Sequence, residues 1–138
     1  MRTGLVIICC LFALSCGKAN GQFGFKTEFD DIFRRPLRMP EIDTNKKTEW
    51  VYSFDSDFSR RDINIIIMKK ELGWIEIAAY KDYVGMGKRT IGGVIEEYEP
   101  GLYRIQLVDS LRKKTIDSIV FTVYSENEEN NVEYDKKY

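Results

Sequence analysis

From Thr48 onward the chain alternates side-chain character with a period of two, and this restricts its fold more than any other feature. Trp50, Tyr52 and Phe54 alternate with Val51, Ser53 and Asp55, and Ile63, Ile65 and Ile67 with Asn64, Ile66 and Met68. Trp74, Glu76 and Ala78 alternate with Ile75, Ile77 and Ala79, and residues 102–108 and 116–124 repeat the behaviour. Successive strand residues point to opposite faces, so such a run offers one face to a core. Turn-forming residues separate the runs at Asp55-Ser56-Asp57, Glu71-Leu72-Gly73, Gly85-Met86-Gly87, Glu99-Pro100-Gly101 and Asp109-Ser110. Six or seven short strands at this spacing predict an all-β antiparallel sandwich or barrel. Residues 89–95 read as a weaker strand in which Gly92-Gly93 marks a bulge. No stretch after Lys47 carries a helical apolar stripe.

All three cysteines, Cys9, Cys10 and Cys16, lie in the first 16 residues. The strands therefore contain no internal disulfide and must be held by packing. A chain of this length buries about two-thirds of its unfolded surface, enough for one core without staples. Lys and Arg number 21 against 22 Asp and Glu, a net charge of −1, which argues against a nucleic-acid partner. There is no histidine, so the commonest general base and transition-metal ligand is missing.

The N-terminus reads Met1-Arg2-Thr3-Gly4, then an apolar run over residues 5–14, then Ser15-Cys16-Gly17. One basic residue, about ten apolar residues and a small-residue exit describe a secretory signal peptide over residues 1–15. As a helix the run spans about 15 Å, half of a ~30 Å hydrocarbon core. Ala13-Leu14-Ser15-Cys16-Gly17 resembles the lipobox of bacterial envelope lipoproteins, in the relaxed form of spirochaetes, with Ala13 where Leu is usual. The resemblance implies acylation of Cys16, which would then be the first mature residue, and membrane anchoring. A second cleavage pattern, Ala19-Asn20-Gly21, would instead release a soluble secreted or periplasmic chain beginning at Gln22.

Residues 16–35 lack long periodicity and read as a tether, with one helical turn within residues 30–35. Pro36 and Pro40 then favour extended backbone, predicting a first edge strand near residues 37–42. The domain is expected over residues 36–124. Residues 125–138, with five acids and two lysines, read as a solvated acidic tail.

Pro100-Gly101-Leu102-Tyr103-Arg104-Ile105-Gln106-Leu107 resembles the Pro-Gly-x-Tyr segment of immunoglobulin-like and fibronectin type III domains. The resemblance implies that Pro100-Gly101 turns the chain into the penultimate strand and that Tyr103 is the corner tyrosine. Trp50 is similar to the core tryptophan of fibronectin-type modules, and residues 116–123 to the closing strand. The fold expected is an immunoglobulin-like sandwich of about seven strands, lacking the inter-sheet disulfide.

Patterns for catalysis are weak. Gly87-Lys88-Arg89-Thr90 departs from a phosphate-binding loop at Asp82, where Gly is needed, and at Arg89, where Ser or Thr is needed. Asp55, Asp57 and Asp62 do not continue as a calcium loop, and Arg60 and Arg61 oppose a cation. Glu96, Glu97 and Glu99 are neighbours on one turn, so they do not face each other as a catalytic pair. No catalytic residue, metal or cofactor is expected. Tyr80, Tyr83 and Met86 form an aromatic group beside a Gly-rich, charged loop, a candidate binding face. The expected role is a membrane-anchored protein-binding or structural module with a protein partner, the alternatives being a soluble accessory subunit and a small hydrophobic-ligand carrier.

Overall fold

The alternation over residues 48–54 becomes a strand whose burial follows the sequence residue by residue, with Trp50, Tyr52 and Phe54 inside. The computed structural model describes residues 20–56 and 59–126. The leader, Cys16, Asp57 and most of the acidic tail lie outside the described residues. Among the described residues there are eight strands: β1 (Gly21–Thr27), β2 (Glu41–Asp43), β3 (Thr48–Phe54), β4 (Arg61–Lys70), β5 (Trp74–Val84), β6 (Thr90–Ile95), β7 (Gly101–Asp109) and β8 (Thr115–Tyr124). They form two sheets, in the orders β1-β3-β6 and β2-β8-β7-β4-β5. Every pairing is antiparallel except the short β2 beside β8. The two sheets pack as a sandwich, with β1, β3 and β6 ordered like strands A, B and E of immunoglobulin-type domains and β4, β7 and β8 like C, F and G.

The core lies between the sheets. Phe23, Trp50, Tyr52, Phe54, Ile91 and Ile95 from the three-stranded sheet meet Ile63, Ile65, Ile67, Tyr103, Ile105, Leu107, Phe121 and Val123 from the other. Phe23 packs edge-on against Tyr52 with ring centroids 4.8 Å apart, and Tyr103 stacks on Phe121 at 5.5 Å. Tyr52 lies within the core yet donates its hydroxyl to Asp117 Oδ2 at 3.0 Å, so the buried phenol is satisfied.

Several expectations are corrected. Within the segment read as tether, residues 21–27 are a full strand, because Phe23 and Phe25 alternate with Gln22 and Gly24 and reach Trp50 and Tyr52. The helical turn is absent from residues 30–35. Arg34 instead bridges Phe25 in extended backbone, donating to its carbonyl at 2.9 Å. The first edge strand is shorter and later than residues 37–42, being only Glu41–Asp43, since Leu37 has nothing to pack on. With β1 added, the domain begins before residue 36 and has eight strands. Gly92-Gly93 carries no bulge, for β6 keeps unbroken register with β3. The register shifts occur instead opposite Ile67/Met68 and Leu107/Val108.

Candidate binding surface

Strand β5 ends the five-stranded sheet, so among the described residues no strand is hydrogen-bonded to one side of its backbone. The other sheet has three strands and reaches β5 at its β6 edge, where Gly92 and Gly93 meet Tyr80, leaving most of the strand exposed. As a result β4 buries Ile63, Ile65 and Ile67, while β5 beside it is exposed along most of both faces. Ile75, Ile77, Tyr80 and Tyr83 all remain substantially exposed. The register shift sets Ile67 opposite Ala78 and Met68 opposite Glu76, which leaves Ile77 as the extra residue of a bulge. The sequence expectation of a buried β5 face fails here because periodicity records alternation and not the width of the opposing sheet.

Tyr80 and Tyr83 lie on β5 itself and only Met86 on the loop that follows. Tyr80 leans toward the opposite sheet, with its hydroxyl 3.3 Å from the Gly92 carbonyl. The absence of a side chain at Gly93 permits this. A Cβ there would stand 2.5 Å from Tyr80 Oη and 2.9 Å from Trp50 Nε1. Burial, reinforced by Tyr98 and Asp82, pushes the Tyr80 phenol up to about 12, so it remains a hydrogen-bond donor at neutral pH. Tyr83 lies on the other face, opposite Asp62, with Arg60 Cζ 4.5 Å and Lys88 Nζ 4.3 Å from its ring centre. Both cations are also paired, Arg60 with Asp62 at 3.2 Å and Lys88 with Asp82. Tyr83 is thus fixed by two cation–π contacts and closes no part of the core.

Met86 occupies the tip of a tight hairpin closed by reciprocal bonds between Gly85 and Lys88. Its φ is 53° and that of Gly87 is 90°, the two positive values of a type I′ turn. The turn presents Met86 to solvent with 91% of its surface exposed. Tyr80, Tyr83 and Met86 therefore do not form one patch, for they face three directions around the end of one strand.

Beside Tyr83 lies an open cleft of about 420 Å³ between Arg60, Arg61 and Arg112. Both of its carboxylates are occupied. Buried Asp109 accepts from the N–H groups of Leu111 and Arg112, each at 3.0 Å, and pairs with Arg61 Nε at 3.3 Å. The Arg112 and Leu111 N–H bonds and the Arg61 charge hold the Asp109 carboxyl below its ordinary value of 3.8, against the opposing effect of burial. Asp62 is likewise occupied by Arg60, and Glu99 by Lys69 at 3.0 Å. Among the described residues no three Asp, Glu, Cys or His side chains converge as metal ligands.

The remaining residues singled out from sequence have structural positions. Trp50 is buried on β3, and Pro100 bends the chain into Gly101, the first residue of β7. The Tyr103 hydroxyl donates to the Glu99 carbonyl at 2.7 Å, four residues upstream, which is the geometry of a tyrosine corner. Sequence reasoning missed Ile75 and Ile77 as surface residues. The signal available was that charges fall on both alternating sets of β5, Glu76 and Asp82 on one and Lys81 on the other.

No family model matches the chain, and no curated protein matches it significantly. Among solved structures, a crystal structure described as a candidate lipoprotein from Bacillus anthracis aligns over 72% of this chain and 84% of that one, at 14% identity and a TM-score of 0.45.

Proposed function

We propose that the chain is a cell-envelope lipoprotein, acylated on Cys16, that binds a protein partner through the β5 edge and performs no catalysis. The observation that carries the binding part is β5 itself, an unpaired edge of 11 residues bearing exposed Ile75, Ile77, Tyr80 and Tyr83. Natural edge strands are usually short, charged or covered. An edge left long and apolar suits strand addition, in which main-chain bonds supply affinity and alternate side chains supply selectivity. A hydrophobic-ligand carrier is less well supported, because the space between the sheets is filled by the aromatic and aliphatic core.

Two measurements test the proposal. The mass of the mature N-terminus decides the anchor: a diacylglyceryl mass on Cys16 supports it, and a chain beginning at Gln22 removes it. A photocrosslinker placed at Tyr83 in growing cells should give discrete protein adducts, and one at Val94 on the other sheet should not. Ile77→Lys, a charge of the kind that blocks edge pairing, should abolish the Tyr83 adducts. Equal adducts from Tyr83 and Val94, or adducts unchanged by Ile77→Lys, would remove the β5 edge from consideration.

A further inference from the structure

The segment between β1 and β2 exposes more apolar surface than its backbone requires. Ile32, Phe33, Leu37 and Met39 are 63%, 40%, 99% and 48% exposed. Interleaved with them are Arg34, Arg35 and Arg38, all exposed and none in an ion pair within 4 Å among the described residues. The acids of this connection, Glu28, Asp30 and Asp31, stand at its start, and Asp30 is occupied by the Thr27 N–H and hydroxyl. Glu41 follows on β2.

Phe33 lies under Lys26 Nζ, 4.7 Å from its ring centre, while Ile32, Leu37 and Met39 are held out in water by a pinned backbone. Phe25 and Arg34 exchange two main-chain bonds, at 3.0 and 2.9 Å. Thr122 N–H donates to the Pro40 carbonyl at 2.9 Å, and the Thr122 hydroxyl lies 3.8 Å from Met39 Sδ. Pro36 and Pro40 stiffen the stretch further. The segment cannot fold its apolar side chains inward without breaking these bonds, so they remain exposed until something covers them.

Resting on the reading that Cys16 carries acyl chains, we infer that Ile32–Met39 is a membrane-contact surface, docked on anionic lipid headgroups. Five residue steps separate Cys16 from Gly21, a reach of at most about 17 Å. The segment flanks β1, the strand that begins at Gly21, and leads to β2, so it covers the side where the first edges of both sheets lie. An anchor that short keeps this side near the lipid. Apolar side chains then enter the headgroup–acyl boundary while the guanidinium groups take phosphate oxygens.

The test uses three exposed leucines. Leu37, Leu72 and Leu111 are each more than 90% exposed, and only Leu37 belongs to the surface. Leu37→Cys, Leu72→Cys and Leu111→Cys are labelled with an environment-sensitive fluorophore and the chain is reconstituted into vesicles containing phosphatidylglycerol and a lipid-borne quencher. If mass analysis finds Cys16 unacylated, the acyl anchor is replaced by an N-terminal hexahistidine on a nickel-chelating lipid, so failure of the anchor and failure of the surface are read separately. The expected result is blue-shifted, strongly quenched fluorescence at Leu37 alone, weakened severalfold by Arg35→Glu/Arg38→Glu. Equal quenching at all three sites overturns the inference. So does a Leu37 probe that lipid quencher does not reach, including one shielded from aqueous iodide by a protein.

Discussion

Replacing Phe23 by alanine tests whether the folded domain begins at Gly21 or only near residue 36. Phe23 is 6% exposed, with its ring edge-on to Tyr52 at 4.8 Å and 6.1 Å from Trp50. Deleting a buried phenyl ring costs about 3–5 kcal/mol through lost transfer energy and the cavity left behind. For a domain of this size each kcal/mol corresponds to roughly 4 °C in Tm, so Phe23→Ala should melt at least about 12 °C lower. Phe29, six residues on, is 79% exposed, and Phe29→Ala should stay within about 0.5 kcal/mol of the parent. Thermal melts of the two variants, supported by urea midpoints at unchanged slope, give a comparison with matched chemistry. If Phe23→Ala unfolds with Phe29→Ala, β1 contributes nothing to the core and the segment is a tether after all.

Three further outcomes follow from individual contacts. Tyr103→Phe keeps the ring but strands the Glu99 carbonyl, and should cost about 1–2 kcal/mol in urea unfolding, whereas a neutral result would deny the corner any energetic role. Gly93→Ala should destabilise by about 1–3 kcal/mol, because the new methyl meets Tyr80 Oη and Trp50 Nε1. Tyr80→Phe should relieve part of that loss in a double-mutant cycle, and strict additivity would show that the hydroxyl is not the obstacle. Asp109 has its folded pKa depressed by the Arg112 and Leu111 N–H groups and by Arg61, so its contribution is present above the unfolded value and disappears as pH falls through the lower folded value. Tm should therefore be steady near neutrality and fall below about pH 4, and Asp109→Asn should be less stable at neutrality with a flatter acid limb; parallel acid limbs would remove Asp109 as the cause.

The strands over residues 48–70 and 101–124 were legible because each has one covered face. Burial alternates along β3, β4 and β7 as the residue types do. Elsewhere local pattern met facts set by distant residues. Phe23 and Phe25 form too short an alternation to outweigh the glycines around them, yet β3 supplies the partner strand that makes them core. Gly92-Gly93 has the composition of a bulge, but its glycines serve the close approach of Trp50 and Tyr80. For the candidate site, Tyr80 and Tyr83 were identifiable as aromatics near a turn. Their separation onto opposite faces of β5 follows from their odd spacing on one strand, whereas the exposure of Ile75 and Ile77 depends on how far the opposing sheet covers β5.

Extending the domain back to Gly21 changes what an anchor at Cys16 would accomplish. A tether of twenty residues would let the sandwich sample every orientation above a membrane, at distances of up to about 65 Å. Five steps allow at most about 17 Å, so the side bearing β1 and β2 must stay close to the lipid. Strands β2 and β5 are the two ends of the same sheet, separated by four inter-strand steps. At about 4.8 Å per step, β5 lies roughly 19 Å from β2. The edge with its exposed isoleucines and tyrosines then points away from the membrane, at the height where a strand from another protein can reach it. The two proposed surfaces thus constrain each other. If a lipid-borne quencher reaches a probe on β5 and not one at Leu37, the domain is anchored the other way up, and the β5 edge is the membrane contact instead of the partner site.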